Sequence, residues 1–117
     1  MTTYHAPIDD VMFTLEHMVD AFKGDGPMEP GDLRPILEQA GAFASDRVAP
    51  INLPLDQVGA KYENGVVRVP EQAHSVYREW AEAGWNGNSL PADHGGAGLQ
   101  VIAGTGSMEV FTSACLS

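Results

Sequence analysis

Of the 117 residues only one is a cysteine, Cys115. A single thiol cannot close an internal disulfide, so the sequence does not encode a secreted disulfide scaffold. Basic residues are also scarce. Six Lys and Arg stand against 16 Asp and Glu, giving a formal net charge of −10. Nucleic acid and anionic membrane surfaces are bound chiefly through Lys and Arg, so neither is an expected partner. The bland effect of the charge is to keep the chain soluble. No apolar run approaches the ~20 residues of a membrane-spanning helix. The start, Met1-Thr2-Thr3-Tyr4-His5, lacks the basic segment followed by an apolar stretch that marks a signal peptide. The expected location is cytoplasmic. There is no internal repeat and no low-complexity tract.

What is present is an ordinary apolar content of 44%, enough for one domain with a modest core. Val11, Leu15, Met18, Val19 and Phe22 recur at helical spacing behind Asp9-Asp10, either of which could cap that helix. Gly24-Asp25-Gly26-Pro27 ends it. Asp32 reads as the N-cap of a second helix, with Leu33, Ile36, Leu37, Ala40, Phe43, Ala44 and Val48 on one face, Pro35 in the first turn and Pro50 as the stop. Residues 49–70 lack helical period and read as an ordered loop, with Asn64-Gly65 and one short extended piece at Val66 to Val69. A third helix begins after Pro70, with Ala73, Val76, Tyr77, Trp80 and Ala81 on one face and Gly84 at its left-handed end. A glycine-rich loop leads to a fourth helix over 99–117, although Gly104 and Gly106 each cost about 1 kcal/mol in a helix interior. The order of elements predicts an all-α fold. No stop signal follows the last helix, so the sequence reads as truncated.

Gly95-Gly96-Ala97-Gly98 is the densest glycine cluster. It is not a phosphate-binding P-loop, because no Gly-Lys-Ser/Thr follows and no Lys occurs after Lys61. It is not a dinucleotide fingerprint either, because a polar loop precedes it rather than a strand. It reads as a tight turn in which the backbone passes close to something. Ser107 lacks the Gly-x-Ser-x-Gly frame of a nucleophile elbow. His5, His17, His74 and His94 do not pair at ligand spacing, and Asp93-His94 reads as a solvated loop pair. Cys115 has no basic neighbour to lower its pKa. Met12, Met18, Met28 and Met108 read as packing fillers. Residue chemistry alone assembles no complete active site.

The ordered string of signals nevertheless resembles a family. Ala83-Gly84-Trp85-Asn86-Gly87, then Pro91-Ala92-Asp93-His94-Gly95-Gly96-Ala97-Gly98-Leu99, is similar to the acyl-CoA dehydrogenase pattern of Gly-Trp, Pro, an acidic residue and Gly-Gly-x-Gly-Leu. Ala49-Pro50, Asp56, Gly59 and the stretch from Val66 to Pro70 fall where that family places a Pro, an Asp-x-x-Gly and a Val-x-x-Pro. Met108-Glu109 and Ser113-Ala114 resemble its next helix. Tyr4, Ala6-Pro7, Asp10, Phe13 and Leu15 resemble the N-terminal extension of one bacterial subgroup.

The resemblance implies an extension helix over 1–30 and an incomplete N-terminal helical domain over 31–117. Members of the family add a middle β-domain and a C-terminal helical bundle. FAD lies between these two and a neighbouring subunit. A Glu takes the α-proton of the acyl thioester while the β-hydride passes to the flavin, and the electrons go on to an electron-transferring flavoprotein. The N-terminal domain helps to wall the acyl pocket. On this resemblance Gly95, Gly96, Gly98, Thr112 and Ser113 are the expected substrate-contacting positions. The family's Thr-Glu-Pro and Gly-Ser-Asp flavin motif is absent, and Glu109 is not in the place of the catalytic Glu. No catalytic residue, metal ligand or bound FAD is therefore expected in this chain alone, and the complete protein is expected to be a homo-oligomer. Two rival readings stand beside this one: a stand-alone interaction module and an inactive gene fragment.

Overall fold

A computed structural model describes residues 3–24 and 26–117; Asp25, within the first turn signal, lies outside the described residues. The chain is an all-α domain. Its first helix, α1 (Ile8–Phe13), opens after Pro7 and widens into a π-type turn over Thr14–Met18. Neither Asp9 nor Asp10 caps it. Pro7 precedes the helix with no N–H to satisfy, and both carboxylates fall inside the first turn, where they still favour the positive helix end. Asp9 instead accepts a hydrogen bond from Arg34 at 2.8 Å, tying α1 to the next helix. Met12 is buried, whereas Met18 and Val19 are exposed where the widened turn runs out.

The second helix, α2 (Pro30–Phe43), starts earlier than its sequence signals suggest. Glu29 is the N-cap and Asp32 the third helical residue. The Glu29 N–H donates to Asp32 Oδ2 at 2.9 Å, and the Glu29 side chain accepts from the Asp32 backbone. This capping box satisfies two otherwise orphaned donors. Pro50 does not end the helix. A π-type turn over Ala44–Val48 leads directly into α3 (Ala49–Val58). The Ala49 N–H reaches back five residues to the Ala44 carbonyl, and the wider turn admits the Pro50 ring that a regular α-turn would exclude. Gly59, at φ 68°, breaks the chain out of the helix.

Two three-residue strands follow, β1 (Lys61–Glu63) and β2 (Val66–Arg68), paired antiparallel with Tyr62 opposite Val67. Asn64 and Gly65 both have positive φ, 51° and 80°, as a two-residue hairpin turn with matching twist requires. The fourth helix, α4 (Glu71–Glu82), ends before Gly84, whose φ of 86° is left-handed as its position predicts. Arg47 donates through Nε and Nη2 to both carboxylate oxygens of Glu79, clamping the π-type turn to α4. The hydrogen bond holds the Glu79 carboxyl below the usual carboxylate range.

The last helix, α5 (Val101–Ala114), is the central one. On one side Ala103 joins Met12, Leu33 and Leu37 in a core cluster that Leu15, Phe22 and Met28 flank. Further along, Val110, Phe111 and Ala114 meet Ala40 and Ala44, with Trp80 and Trp85 set edge-on against the Phe111 ring. The apolar faces of α2 and α4 thus meet through Phe111. Tyr77, on the apolar face that the sequence predicts for α4, is 63% exposed. The two glycines of α5 are explained by its neighbours. A Cβ on Gly106 would lie 2.9 Å from Leu37 Cδ2, and one on Gly104 2.7 Å from Ser89 Oγ. Close approach to α2 and to the preceding loop accounts for the loss of helix propensity.

Candidate functional site

The face of α5 turned away from the core carries Val101, Thr105, Met108, Glu109 and Thr112, a set spaced by one and two helical turns. With Gly104 and Ser89 they line an open groove of about 540 Å³. Ser89 reaches it because the loop before α5 folds back on itself. The Leu99 N–H donates to the Asn88 carbonyl at 2.9 Å and the Ala97 N–H to Gly87 at 3.1 Å. A second groove, of about 310 Å³, lies between α3, α4 and α5, with Ile51, Leu55, Val76, Tyr77, Trp80 and Cys115 among its walls. Met108 and Thr112 border both grooves.

The first groove has hydroxyls but few free hydroxyl protons. Thr105 Oγ1 donates to the Val101 carbonyl at 3.0 Å, and Ser89 Oγ to the Asn88 side chain at 3.2 Å. Those protons are committed within the protein, so Thr105 presents chiefly its methyl group to an occupant. Among the described residues Glu109 is the groove's one carboxylate, and no basic side chain lines either groove. Glu109 is exposed and has no hydrogen-bond or ion-pair partner among the described residues, so nothing orients it as a general base. Among the described residues no three His, Cys, Asp or Glu side chains are grouped to hold a metal ion. The residues present do not by themselves fit a flavin dinucleotide. Among the described residues its diphosphate would meet no cation in either groove, and the Thr105 and Ser89 hydroxyls are already engaged.

Of the positions singled out from sequence, Thr112 lies in the groove wall. Ser113, one residue on, turns to the N-terminal segment, where its Oγ is 2.6 Å from the Tyr4 hydroxyl. Gly95, Gly96 and Gly98 shape the loop, and their N–H groups donate to the carbonyls of Ala92, Pro91 and Leu90. A Cβ on Gly96 would sit 2.1 Å from the Leu90 carbonyl oxygen, while Gly95 and Gly98 need φ of 83° and 66°. Sequence reading assigned none of Ser89, Val101, Gly104, Thr105 and Met108 to a site, and Met108, read as a packing filler, is exposed. For the α5 residues the signal was the helical period on the side opposite the buried ones; Ser89, in the loop before α5, has no such signal.

A family model described as "Acyl-CoA dehydrogenase, N-terminal domain" matches residues 31–117. The chain belongs to the acyl-CoA dehydrogenase family. The match begins one residue into α2, so every residue lining the two grooves lies inside the family's domain. The chain is also 38% identical over 120 residues to 3-methylmercaptopropionyl-CoA dehydrogenase from Ruegeria pomeroyi, an alignment that takes in 98% of this chain. That similarity extends back over α1, which the family model does not cover. The chain spans 20% of the length of that relative. No helix among the described residues is long and apolar enough to cross a membrane.

Proposed function

We propose that this chain is the N-terminal helical part of an FAD-dependent acyl-CoA dehydrogenase that introduces an α,β double bond into an acyl-CoA thioester, and that the outer face of α5 walls the acyl pocket. The observation that carries the reading is the character of the α5 groove within a family-matched domain: Val101, Met108 and two threonines beside the single carboxylate Glu109, with the Thr105 hydroxyl already bonded to its own helix. Such a wall suits an uncharged acyl chain and does not perform proton transfer itself. The base and the flavin site belong, in this reading, to parts of the protein outside these residues. FAD when bound would accept the hydride. Residues 1–30 form an extension whose helix packs on the domain of residues 31–117 through Met12. The remaining expectations follow the family: acyl-CoA as substrate, an electron-transferring flavoprotein as acceptor, a homo-oligomeric complete protein and a cytoplasmic location. The interaction-module reading draws on the exposed Tyr77 beside the second groove.

The test has two arms. The purified 117-residue chain is expected to be colourless and to reduce no acceptor when given acyl-CoA. Stoichiometric flavin or acyl-CoA turnover by this chain alone would overturn the division of labour. In the second arm the chain replaces the aligned segment of the Ruegeria pomeroyi enzyme. The chimera is expected to hold flavin, and Met108→Trp in it to raise KM for acyl-CoA without lowering flavin content. A chimera with full flavin whose KM ignores Met108→Trp would remove the α5 face from the acyl pocket.

A further inference from the structure

The β1–β2 hairpin is the part of the fold that packing explains least. All six strand residues are exposed, Tyr62 at 74% and Val67 at 66%. A two-stranded ribbon without a covered face is marginal in water. Lys61 also lies directly opposite Arg68, a like-charge pair that opposes the register. No ion pair joins Lys61, Glu63 or Arg68 to another residue among those described. No backbone hydrogen bond from outside the hairpin reaches either strand among the described residues.

The backbone geometry identifies which edge groups are free. The pair that flanks a two-residue turn exchanges both backbone hydrogen bonds, and pairs then alternate along an antiparallel ladder. Glu63–Val66 and Lys61–Arg68 are thus the bonded pairs, and the N–H and C=O of Tyr62 face outward from the β1 edge. The sequence of that edge is Lys61-Tyr62-Glu63, positive, neutral, negative. Laid antiparallel on itself about Tyr62, it places Lys61 opposite Glu63 of a second copy, and Glu63 opposite that copy's Lys61. The two tyrosines exchange both edge hydrogen bonds on the two-fold axis. Tyr62 and Val67 of the two copies then form one apolar stripe across a four-stranded sheet. The β2 edge, Val66-Val67-Arg68, has no such self-complementarity.

We infer that the β1 edge is a two-fold docking surface for a second copy of this chain. The inference does not rest on the proposed function. Only one pair of edge tyrosines exchanges hydrogen bonds, so the association is weak and concentration-dependent. The net charge of −10 on each copy opposes it except where salt screens the distant charges.

Sedimentation velocity of the 117-residue chain at physiological ionic strength, over a wide concentration range, tests it. A monomer–dimer equilibrium is expected. Lys61→Glu and Glu63→Lys should each raise the dimer Kd about tenfold, because each puts like charges opposite one another twice. An equimolar mixture of the two variants restores both attractive pairs and should recover the dimer, as should both substitutions in one chain. Circular dichroism of each variant checks that the helices are intact. The two single substitutions move the net charge in opposite directions, so general repulsion predicts opposite effects on Kd, whereas edge pairing predicts that both weaken it. A chain that stays monomeric at every concentration, a dimer indifferent to these substitutions, or a mixture that does not recover would each overturn the inference.

Discussion

The contact between Leu37 and Gly106 offers the sharpest test of how this domain is held together. Leu37 is fully buried, and a methyl group on Gly106 would stand 2.9 Å from its Cδ2. Leu37→Ala removes a large buried side chain and should cost about 2–5 kcal/mol. Gly106→Ala alone gains about 1 kcal/mol of helix propensity but crowds Leu37, which costs about 1–3 kcal/mol. The net effect is a loss of about 0–2 kcal/mol. In the Leu37→Ala background the crowding is gone. The same Gly106→Ala then keeps its propensity gain and fills part of the cavity with a methyl worth about 0.8 kcal/mol. A substitution that is neutral or harmful in the parent chain thus becomes stabilising in the variant, with a coupling of about 2–4 kcal/mol. Leu37→Ala consumes much of the ~5–15 kcal/mol that a small domain has, so the four proteins are best compared by urea unfolding with a fixed amount of stabilising osmolyte. If the two substitutions add independently, or if Gly106→Ala alone stabilises by its full propensity gain, the glycine is not there to let α5 approach α2.

Further outcomes follow from the loops and the ion pair. Gly96→Ala drives a methyl into the Leu90 carbonyl and should cost more in thermal unfolding than Gly95→Ala, which meets open space and incurs only the left-handed backbone penalty of about 1–2 kcal/mol; equal effects would refute the close approach. Tyr4→Phe removes the hydroxyl that donates to the Val110 carbonyl at 2.9 Å and should cost about 0.5–1.5 kcal/mol in urea unfolding. The Arg47 hydrogen bond depresses the folded-state pKa of Glu79 below its unfolded value. Stability from that pair is therefore present above the ordinary Glu pKa of about 4.3 and is lost as pH falls through the depressed folded value. Glu79→Gln should flatten that part of the acid limb, and the two unfolding profiles should converge at the lowest pH; a constant gap between them would mean that Glu79 acts through packing alone.

The sequence made the helical class and the inner face of α2 legible, because apolar residues at helical spacing mark a buried stripe directly. It also marked Gly84, whose left-handed conformation few other residues adopt, and a close backbone approach in the glycine loop, which Gly96 makes against Leu90. Three features escaped for physical reasons. The acid at the start of α2 is inverted from the usual capping box, with Glu29 at the cap and Asp32 inside, so the later acid drew the assignment. Pro50 reads as a stop because stop rules assume an unbroken α-turn. The hairpin signal Asn64-Gly65 was visible, but three-residue strands exposed on both faces carry no alternation to support it. At the grooves, Thr112, a position that only the family resemblance pointed to, lies on the α5 face, whereas Ser89 arrives through loop folding that no local pattern encodes.

The widened turn over Ala44–Val48 acts as a phase shifter. Each residue of an α-helix rotates the chain by about 100°, and a turn that closes five residues back holds one residue more than the standard turn. Everything downstream is offset by that angle, which brings Ile51 and Leu55 round to the side that faces Val76 and Trp80 across the second groove. A chain shorter by one residue here would wind as ordinary α-helix, swing both side chains off the groove and force Pro50 against a carbonyl it cannot accommodate. The segment should therefore tolerate replacement of exposed Asp46 far better than loss of any one of its residues. What this stretch keeps is a number of residues, and the angle that number sets.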